Sequence, residues 1–301
     1  MQIKDYLNFF RWKNILLIIL IQFLIKFVLF QKVNISYSLD HFHFALLTLS
    51  TICIAIAGYI INDIHDVEAD KINKPEKVYV SKKISVQNAN KLFVAFNSIG
   101  LLIGFYLSIY IAKNSFFIIF LITSLLLYRY AIDLKKRLFI GNLTVSFIVF
   151  LSILIVVIFD IVPATNVYNK DAQTQVSQWV LIISGFAFFL TLLRELIKDL
   201  EDQKGDKKIN AKTLPIALGA EKTKNIIILL SLLPLFSILY FVSTLYDENL
   251  LLPIYLILCV ALPLCYFIWK IKKSKAKSDY HKLSNLLKII MLLGILSIFF
   301  I

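Results

Sequence analysis

Long apolar runs separated by short polar ones dominate the chain. Nine runs stand out, at approximately 14–31, 42–61, 92–112, 115–132, 139–161, 178–197, 225–245, 250–270 and 284–301. An α-helix needs about 20 apolar residues to cross the hydrocarbon core of a bilayer. The pattern therefore predicts an all-α polytopic membrane protein with nine transmembrane helices in a single domain covering 1–301. The runs are continuous and do not alternate every second residue, which excludes a β-barrel. Only Lys113 and Asn114 part the third run from the fourth, so these two form a tight helical hairpin. The run after Trp12 is too long for a cleavable signal, and no small-residue cleavage site follows it.

Composition agrees with the pattern. Apolar side chains make up 59% of the 301 residues and charged ones 17%, too few to cover a soluble domain of this length. Cys53, Cys259 and Cys265 lie inside apolar runs, with no spacing that resembles a metal site, and are expected to pack. The net charge of +13 could suggest a nucleic-acid partner, but its distribution argues against one. With the N-terminus in the cytoplasm, nine spans place 1–13, 62–91, 129–138, 194–224 and 270–288 inside. Those five segments hold all but four of the 32 Lys and Arg, the exceptions being Lys26, Lys32, Lys113 and Lys170. Such a bias supports both the span count and the orientation. Lys26, late in the first span, is expected to snorkel toward the outer interface. The outer loop from Asp160 to Gln178 shows no chemistry.

Ten of the 19 Asp and Glu fall in two short stretches, 63–76 and 195–206, each following the cytoplasmic end of an apolar run. Asp63, Asp66 and Asp70 are spaced i, i+3, i+7, and so are Asp199, Asp202 and Asp206. On a helix this spacing lines three carboxylates along one face, where unpaired they repel. Hard divalent cations choose carboxylate oxygens, and Mg²⁺ is commonly held by a few carboxylates together with phosphate oxygens and water. Two such faces opposite each other would hold Mg²⁺ ions around a diphosphate. Lys71, Lys74 and Lys77 follow Asp70, and Arg194 and Lys198 accompany the second stretch. All five are cations suited to the remaining phosphate oxygens. His65, between the carboxylates, is expected to pack and not to ligate.

These residues resemble the motifs of the UbiA family of intramembrane prenyltransferases. The family's N-D-x-x-D-x-x-x-D motif with a basic, proline-containing sequel is matched by Asn62 to Asp70 and then Asn73-Lys74-Pro75-Glu76-Lys77. Its second acidic motif, in the loop after the sixth span, is matched by Asp199 to Asp202 with Asp206. The segment Tyr128-Arg129-Tyr130 through Lys135-Lys136-Arg137 to Gly141-Asn142 is similar to its Y-x-x-x-L-K…G-N connection. The run Arg194-Glu195, Lys198-Asp199, Glu201-Asp202, Gly205-Asp206 and Lys212-Thr213-Leu214-Pro215 looks most like the digeranylgeranylglyceryl phosphate synthase branch. One departure stands out: where the family shows Arg-Pro-x-x-Ser-Gly, this chain has Lys77-Val78-Tyr79-Val80-Ser81-Lys82.

The resemblance implies nine helices around a central cavity, capped by two cytoplasmic motif loops. It implies Mg²⁺-dependent transfer of a prenyl chain, of geranylgeranyl type, from a polyprenyl diphosphate to a lipid or aromatic acceptor. Asp63, Asp66, Asp70, Asp199, Asp202 and Asp206 would hold metal, with Asp66 and Asp202 indispensable for catalysis. Asn62, Lys74, Lys77, Arg194 and Lys198 would bind substrate, with Tyr128 and Lys136 near the donor. The partners are the polyprenyl diphosphate, a hydrophobic acceptor and the bilayer, with no nucleic acid and no obligate protein partner. The location is the cell membrane of a prokaryote. The alternatives are a transporter of divalent cations or an anionic substrate, and a lipid-binding scaffold. Carboxylates at span ends, instead of at the midplane, argue against transport.

Overall fold

The computed structural model describes residues 3–244 and 250–301, apart from the side chain of Lys77. Among the described residues nine helices are long and apolar enough to cross a membrane. In chain order, spans 1 to 9 are Trp12–Val33, His41–His65, Val86–Tyr110, Asn114–Ile132, Ile140–Ala164, Lys170–Lys208, Ala220–Thr244, Leu251–Lys273 and Lys277–Phe300. Each covers one of the nine apolar runs. The chain is an all-α integral membrane protein, because a helix satisfies its own backbone groups where no water can. No strand forms among the described residues beyond an isolated bridge between Val80 and Ile84. Span 2 is capped by Asp40, whose carboxylate accepts from His43 N–H at 2.8 Å, and span 3 by Ser85, which accepts from Asn88 N–H at 3.2 Å. The hairpin between spans 3 and 4 turns through Ala112, in the left-handed region at φ 54.

The chain divides into two compact units, Met1–Lys135 with Leu151–Leu181, and Lys136–Phe150 with Ile182–Ile301. Spans 5 and 6 each contribute residues to both. In the first unit, spans 2, 3 and 4 approach closely at Gly100 and Gly104. A Cβ on Gly104 would lie 2.5 Å from the Phe120 ring, and one on Gly100 would lie 2.7 Å from the Ile54 side chain. Ser50 Oγ donates to the Gly100 carbonyl at 2.7 Å. Small residues at such positions let membrane helices gain van der Waals contact and interhelical hydrogen bonds. The short helix Ile3–Phe9 is anchored by Phe9, which is buried among Ile56, Ile60, Val80 and Ala89. In the second unit Phe186 packs on Gly294, and Tyr255 stacks on Phe300 while donating to the Leu293 carbonyl at 2.9 Å.

Lys26 does not snorkel. Its side chain is 1% exposed, and Nζ donates to Asp160 Oδ2 at 2.6 Å and to the Leu39 carbonyl at 2.7 Å. The Tyr37 ring lies 3.4 Å from the ammonium. Asp160 in turn accepts from Leu39 N–H at 2.8 Å, and its backbone carbonyl accepts from Ser38 N–H at 2.9 Å. Both partners sit in π-helical turns, Ile25–Leu29 and Val157–Ile161. Each turn shifts the phase of its helix locally. Gln173, also buried, donates to the Ser36 carbonyl at 2.7 Å. The loop between spans 1 and 2 is thus fastened by an ion pair and an amide. Spacing along the chain shows no sign of this pair, because its partners lie 134 residues apart.

Lys26→Met leaves Asp160 buried without its counter-charge. It is expected to cost about 3–5 kcal/mol, read as a lower thermal midpoint in detergent. Lys26→Met combined with Asp160→Leu is expected to recover most of that loss. Equal midpoints for Lys26→Met and the parent protein would show that the pair does not hold the loop.

Candidate active site

In the first unit the acidic motif straddles the end of span 2. The α-helix reaches His65, pauses at Asp66 (φ −95, ψ 0) and resumes as Val67–Asn73. Hydrogen bonds bridge the pause: Asp66 N–H to the Asn62 carbonyl at 2.9 Å, Asp70 N–H to Asp66 at 2.8 Å and Lys74 N–H to Asp70 at 2.8 Å. Asp63, Asp66 and Asp70 therefore keep near-helical spacing across the break.

Two of these carboxylates already have charged partners. Asp66 accepts from Asn62 Nδ2 at 2.5 Å through one oxygen and from Lys135 Nζ at 2.6 Å through the other. Asp63 accepts from Arg11 Nη2 at 2.6 Å, and the same guanidinium lies 4.7 Å from the centre of the Tyr59 ring. Arg11 holds a left-handed backbone conformation at φ 54, just before span 1 begins. For a non-glycine residue that conformation costs about 1–3 kcal/mol, and tertiary contacts such as the one to Asp63 must hold it. Asp70 is half-buried. Burial first, then the neighbouring Asp66 charge, pushes its carboxyl up to about 6 against the pull of Lys74.

In the second unit the acidic stretch is not a separate loop. Span 6 runs unbroken from Lys170 to Lys208, so Asp199, Asp202 and Asp206 extend the transmembrane helix itself. Asn142, at the start of span 5, donates to Asp199 Oδ2 at 2.9 Å. Glu195 is buried and accepts from Lys198 Nζ at 2.5 Å, with Arg194 Nη1 at 3.4 Å. Glu201 is tied to His281 on span 9 at 3.2 Å.

The remaining predicted residues are dispersed. Lys74 caps the helix Val67–Asn73, and Lys77 closes a 3₁₀ turn with its side chain outside the described residues. Tyr128 is exposed on span 4 and stacks against Phe93. The Lys136 side chain is exposed, and its backbone carbonyl accepts from Lys212 N–H at 2.8 Å. It is Lys135, not Lys136, that reaches the first acidic motif. Reading by motif thus missed Arg11, Lys135, Asn142 and Glu195. Lys135 and Asn142 lie in the Lys135-to-Asn142 segment that the sequence singles out. Arg11 lies outside every motif, 52 residues from its partner.

The six aspartates of the two motifs offer hard carboxylate oxygens, the chemistry that suits Mg²⁺ better than sulfur or imidazole does. Among the described residues no three carboxylate, imidazole or thiol groups converge on one point. Asp63, Asp66 and Asp199 instead face the protein's own cations and amides, which relieve part of the repulsion their spacing creates.

Comparison with known proteins places this arrangement. A sequence model of the UbiA prenyltransferase family matches residues 19–292. The digeranylgeranylglyceryl phosphate synthase of Saccharolobus solfataricus is 40% identical over 188 residues, 61% of this chain and 60% of that protein. The match therefore spans about three-fifths of that relative's length. The synthase of Methanosphaera stadtmanae is 29% identical over 252 residues, 83% of this chain and 85% of that protein. A solved structure of a digeranylgeranylglyceryl phosphate synthase superposes with a TM-score of 0.67 at 26% identity, covering 98% of both chains. A UbiA homologue from Archaeoglobus fulgidus, bound to GPP and Mg²⁺, shares the fold with a TM-score of 0.61 at 15% identity, covering 98% of this chain and 99% of that one. With a family match running from within span 1 to within span 9, the chain belongs to the UbiA prenyltransferase family.

Proposed function

We propose that the protein transfers a prenyl chain, of the geranylgeranyl class, from a polyprenyl diphosphate to a hydrophobic acceptor and releases diphosphate. The observation that carries this reading is the pair of carboxylate triads, each at a span end and each already wired to a cation or amide of the protein. Family membership and the synthase relatives support it. The match across both units supports a single catalytic domain. The Lys and Arg bias supports a cytoplasmic location for both acidic stretches, in a cell membrane.

Asp63, Asp66 and Asp70 in one unit, and Asp199, Asp202 and Asp206 in the other, are the oxygen donors for Mg²⁺. The bound metal supplies positive charge against the negative charge that develops on the departing diphosphate. The chain's own residues do the rest. Asn62 and Asn142 orient Asp66 and Asp199. Lys135 and Arg11 neutralise the first triad in the absence of substrate and present N–H donors to phosphate oxygens when it arrives. Lys74 and Lys77 add charge at the same motif. Lys77 is a point charge in place of a forked arginine and so gives strength without bidentate geometry. The acceptor attacks the allylic carbon as its bond to the diphosphate oxygen breaks, and the acceptor's proton leaves to solvent.

The test is Mg²⁺-dependent release of diphosphate from geranylgeranyl diphosphate by the purified protein in detergent. A prenylated glycerol phosphate and an aromatic acid would serve as acceptors. Asp66→Ala and Asp202→Ala, checked for folding by size-exclusion chromatography, are expected to lose about 100-fold or more in turnover. Near-normal turnover in both would end the proposal. Ion flux in proteoliposomes without prenyl transfer would point to a transporter.

The raised Asp70 carboxyl makes a second, independent prediction. Metal binds the ionised form, so proton and Mg²⁺ compete for it. The Mg²⁺ concentration for half-maximal rate is expected to rise as pH falls below about 6, by up to roughly tenfold per unit. High Mg²⁺ should move the acid limb of the rate profile to lower pH. Asp70→Asn should flatten the dependence. A half-saturating Mg²⁺ concentration that is constant between pH 5.5 and 7.5 would remove Asp70 from the metal site.

A further inference from the structure

The segment ahead of span 1 presents three different faces. Helix Ile3–Phe9 is followed by Phe10, whose N–H donates to the Tyr6 carbonyl at 2.9 Å, and then by Arg11 in its left-handed conformation. Asp5 and Phe9, spaced i, i+4, face the protein. Asp5 accepts from Lys83 Nζ at 2.6 Å, and Phe9 is buried with its ring centre 5.9 Å from that of Tyr79. Lys4 and Asn8, again i, i+4, are exposed and polar. Ile3, Tyr6 and Leu7, spaced i, i+3 and i+4, form a third face that is apolar and 81%, 41% and 48% exposed.

The surroundings of that third face follow from its height. Trp12 opens span 1, and Arg11 grips Asp63 close to the end of span 2 at His65. Helix Ile3–Phe9 therefore stands level with the bilayer surface on the acidic-motif side. Trp12, Leu16, Ile19 and Phe23, spaced i, i+4, i+7 and i+11, are all exposed and mark the lipid-facing stripe of span 1. That stripe begins three residues after Phe9, with a tryptophan, the residue type that favours the headgroup region. Charge fits a phospholipid surface as well. Asp5 is the single acid among the first 39 residues and is engaged by Lys83, whereas Lys4 and Lys13 are exposed. A short helix with one apolar face, basic flanks and a span beside it lies in the interface plane.

The inward contacts hold two strained points. Arg11, at φ 54, is held by Asp63 and by the Tyr59 ring. Ser81, at φ 71, lies in the turn where the Tyr79 carbonyl accepts from Lys83 N–H at 2.8 Å and from Ile84 N–H at 3.2 Å. This turn is the stretch that departs from the family pattern, and it has neither the proline nor the glycine that would pre-set its backbone. Contacts from the N-terminal segment take their place: Asp5 on Lys83, and Phe9 on Tyr79, whose ring also lies 5.6 Å from Lys83 Nζ. Residues in such conformations persist only where tertiary contacts over-determine them.

We infer that residues 3–11 form an interfacial strap, whose face of Ile3, Tyr6 and Leu7 seats in the headgroup region of a phospholipid bilayer and thereby holds Arg11 on Asp63 and Asp5 on the turn at Lys83. Its catalytic consequence rests on the transferase reading: the strap is a positioning element for the motif that receives the donor diphosphate. Lipid contact at the N-terminal segment then sets donor affinity.

The test uses the full chain in nanodiscs of phosphatidylglycerol and phosphatidylcholine, with Cys259→Ala and Cys265→Ala leaving only the buried Cys53. A nitroxide is attached through Leu7→Cys or Asn8→Cys. Its relaxation is read with oxygen, which partitions into lipid, and with a nickel chelate, which stays in water. The Leu7 label is expected to favour oxygen and the Asn8 label the chelate. In the native-cysteine protein, Ile3→Gln with Leu7→Gln is expected to speed amide hydrogen exchange over residues 79–84. It should raise KM for geranylgeranyl diphosphate about 3- to 10-fold while kcat stays within about twofold. Ile3→Val with Leu7→Met, which keeps the apolar face, should retain the parent values and so separates lost seating from a general folding defect.

A Leu7 label as open to the chelate as the Asn8 label would overturn the inference. A Leu7 label shielded from both reagents and broadened by a second label would also overturn it, by placing another copy of the chain on this face. Exchange over 79–84 that ignores Ile3→Gln with Leu7→Gln would overturn it too, since seating would then hold nothing. These results separate from failure of the transferase reading. If the label lies in lipid and exchange follows the double variant but the parent releases no diphosphate, the strap stands and the transferase reading falls. If diphosphate is released and neither label depth nor exchange behaves as expected, the reverse holds.

Discussion

Carboxylates grouped at the mouth of an apolar helix repel one another, and the low polarity around them magnifies the repulsion. Everything at the candidate site follows from how the chain meets that constraint. Spacing of three and four residues puts Asp63, Asp66 and Asp70 within reach of each other, and the fold then brings cations and an amide to Asp63 and Asp66. Arg11 arrives from the segment before span 1, and Lys135 from just beyond span 4. In the second unit Asn142 arrives from span 5 and meets Asp199. These contacts join helix ends that are far apart in sequence, so the acidic motif also serves as a joint between spans. Removing Lys135 or Arg11 would therefore disturb packing as well as charge.

Hydrocarbon thickness made the architecture legible. A run of apolar residues has one stable form in a bilayer, a helix of about 20 residues, so nine runs became nine spans. What pattern reading left open was where the helices stop. Span 6 continues through Lys208 because Glu, Lys and Gln are good helix formers that carry the poorer Asp and Gly205 once a helix has been nucleated. The acidic positions were legible from their repeated spacing. Their partners were not. Periodicity ranks Lys135 and Lys136 alike, and only the 3₁₀ turn Leu134–Lys136 decides which of them meets Asp66. Lys26 misled for a related reason. A lysine near a span end ordinarily reaches for water, and only the fold reveals a buried carboxylate 134 residues away.

Two kinds of ion pair result, and burial separates their roles. Lys26 and Asp160 are 1% and 0% exposed, and two backbone contacts from the loop between spans 1 and 2 complete their coordination. No ligand can compete for them without taking charges out of a sealed site, which makes the pair a structural fastening. Arg11 and Asp63 are 36% and 14% exposed, and Lys135 and Asp66 are 9% and 19% exposed. Pairs that still touch solvent have given up less hydration than a fully sealed pair. The same two residue chemistries, acid and base, thus make a sealed rivet at one end of the first unit and solvent-touching pairs at the other. The difference lies in how much water each pair has given up.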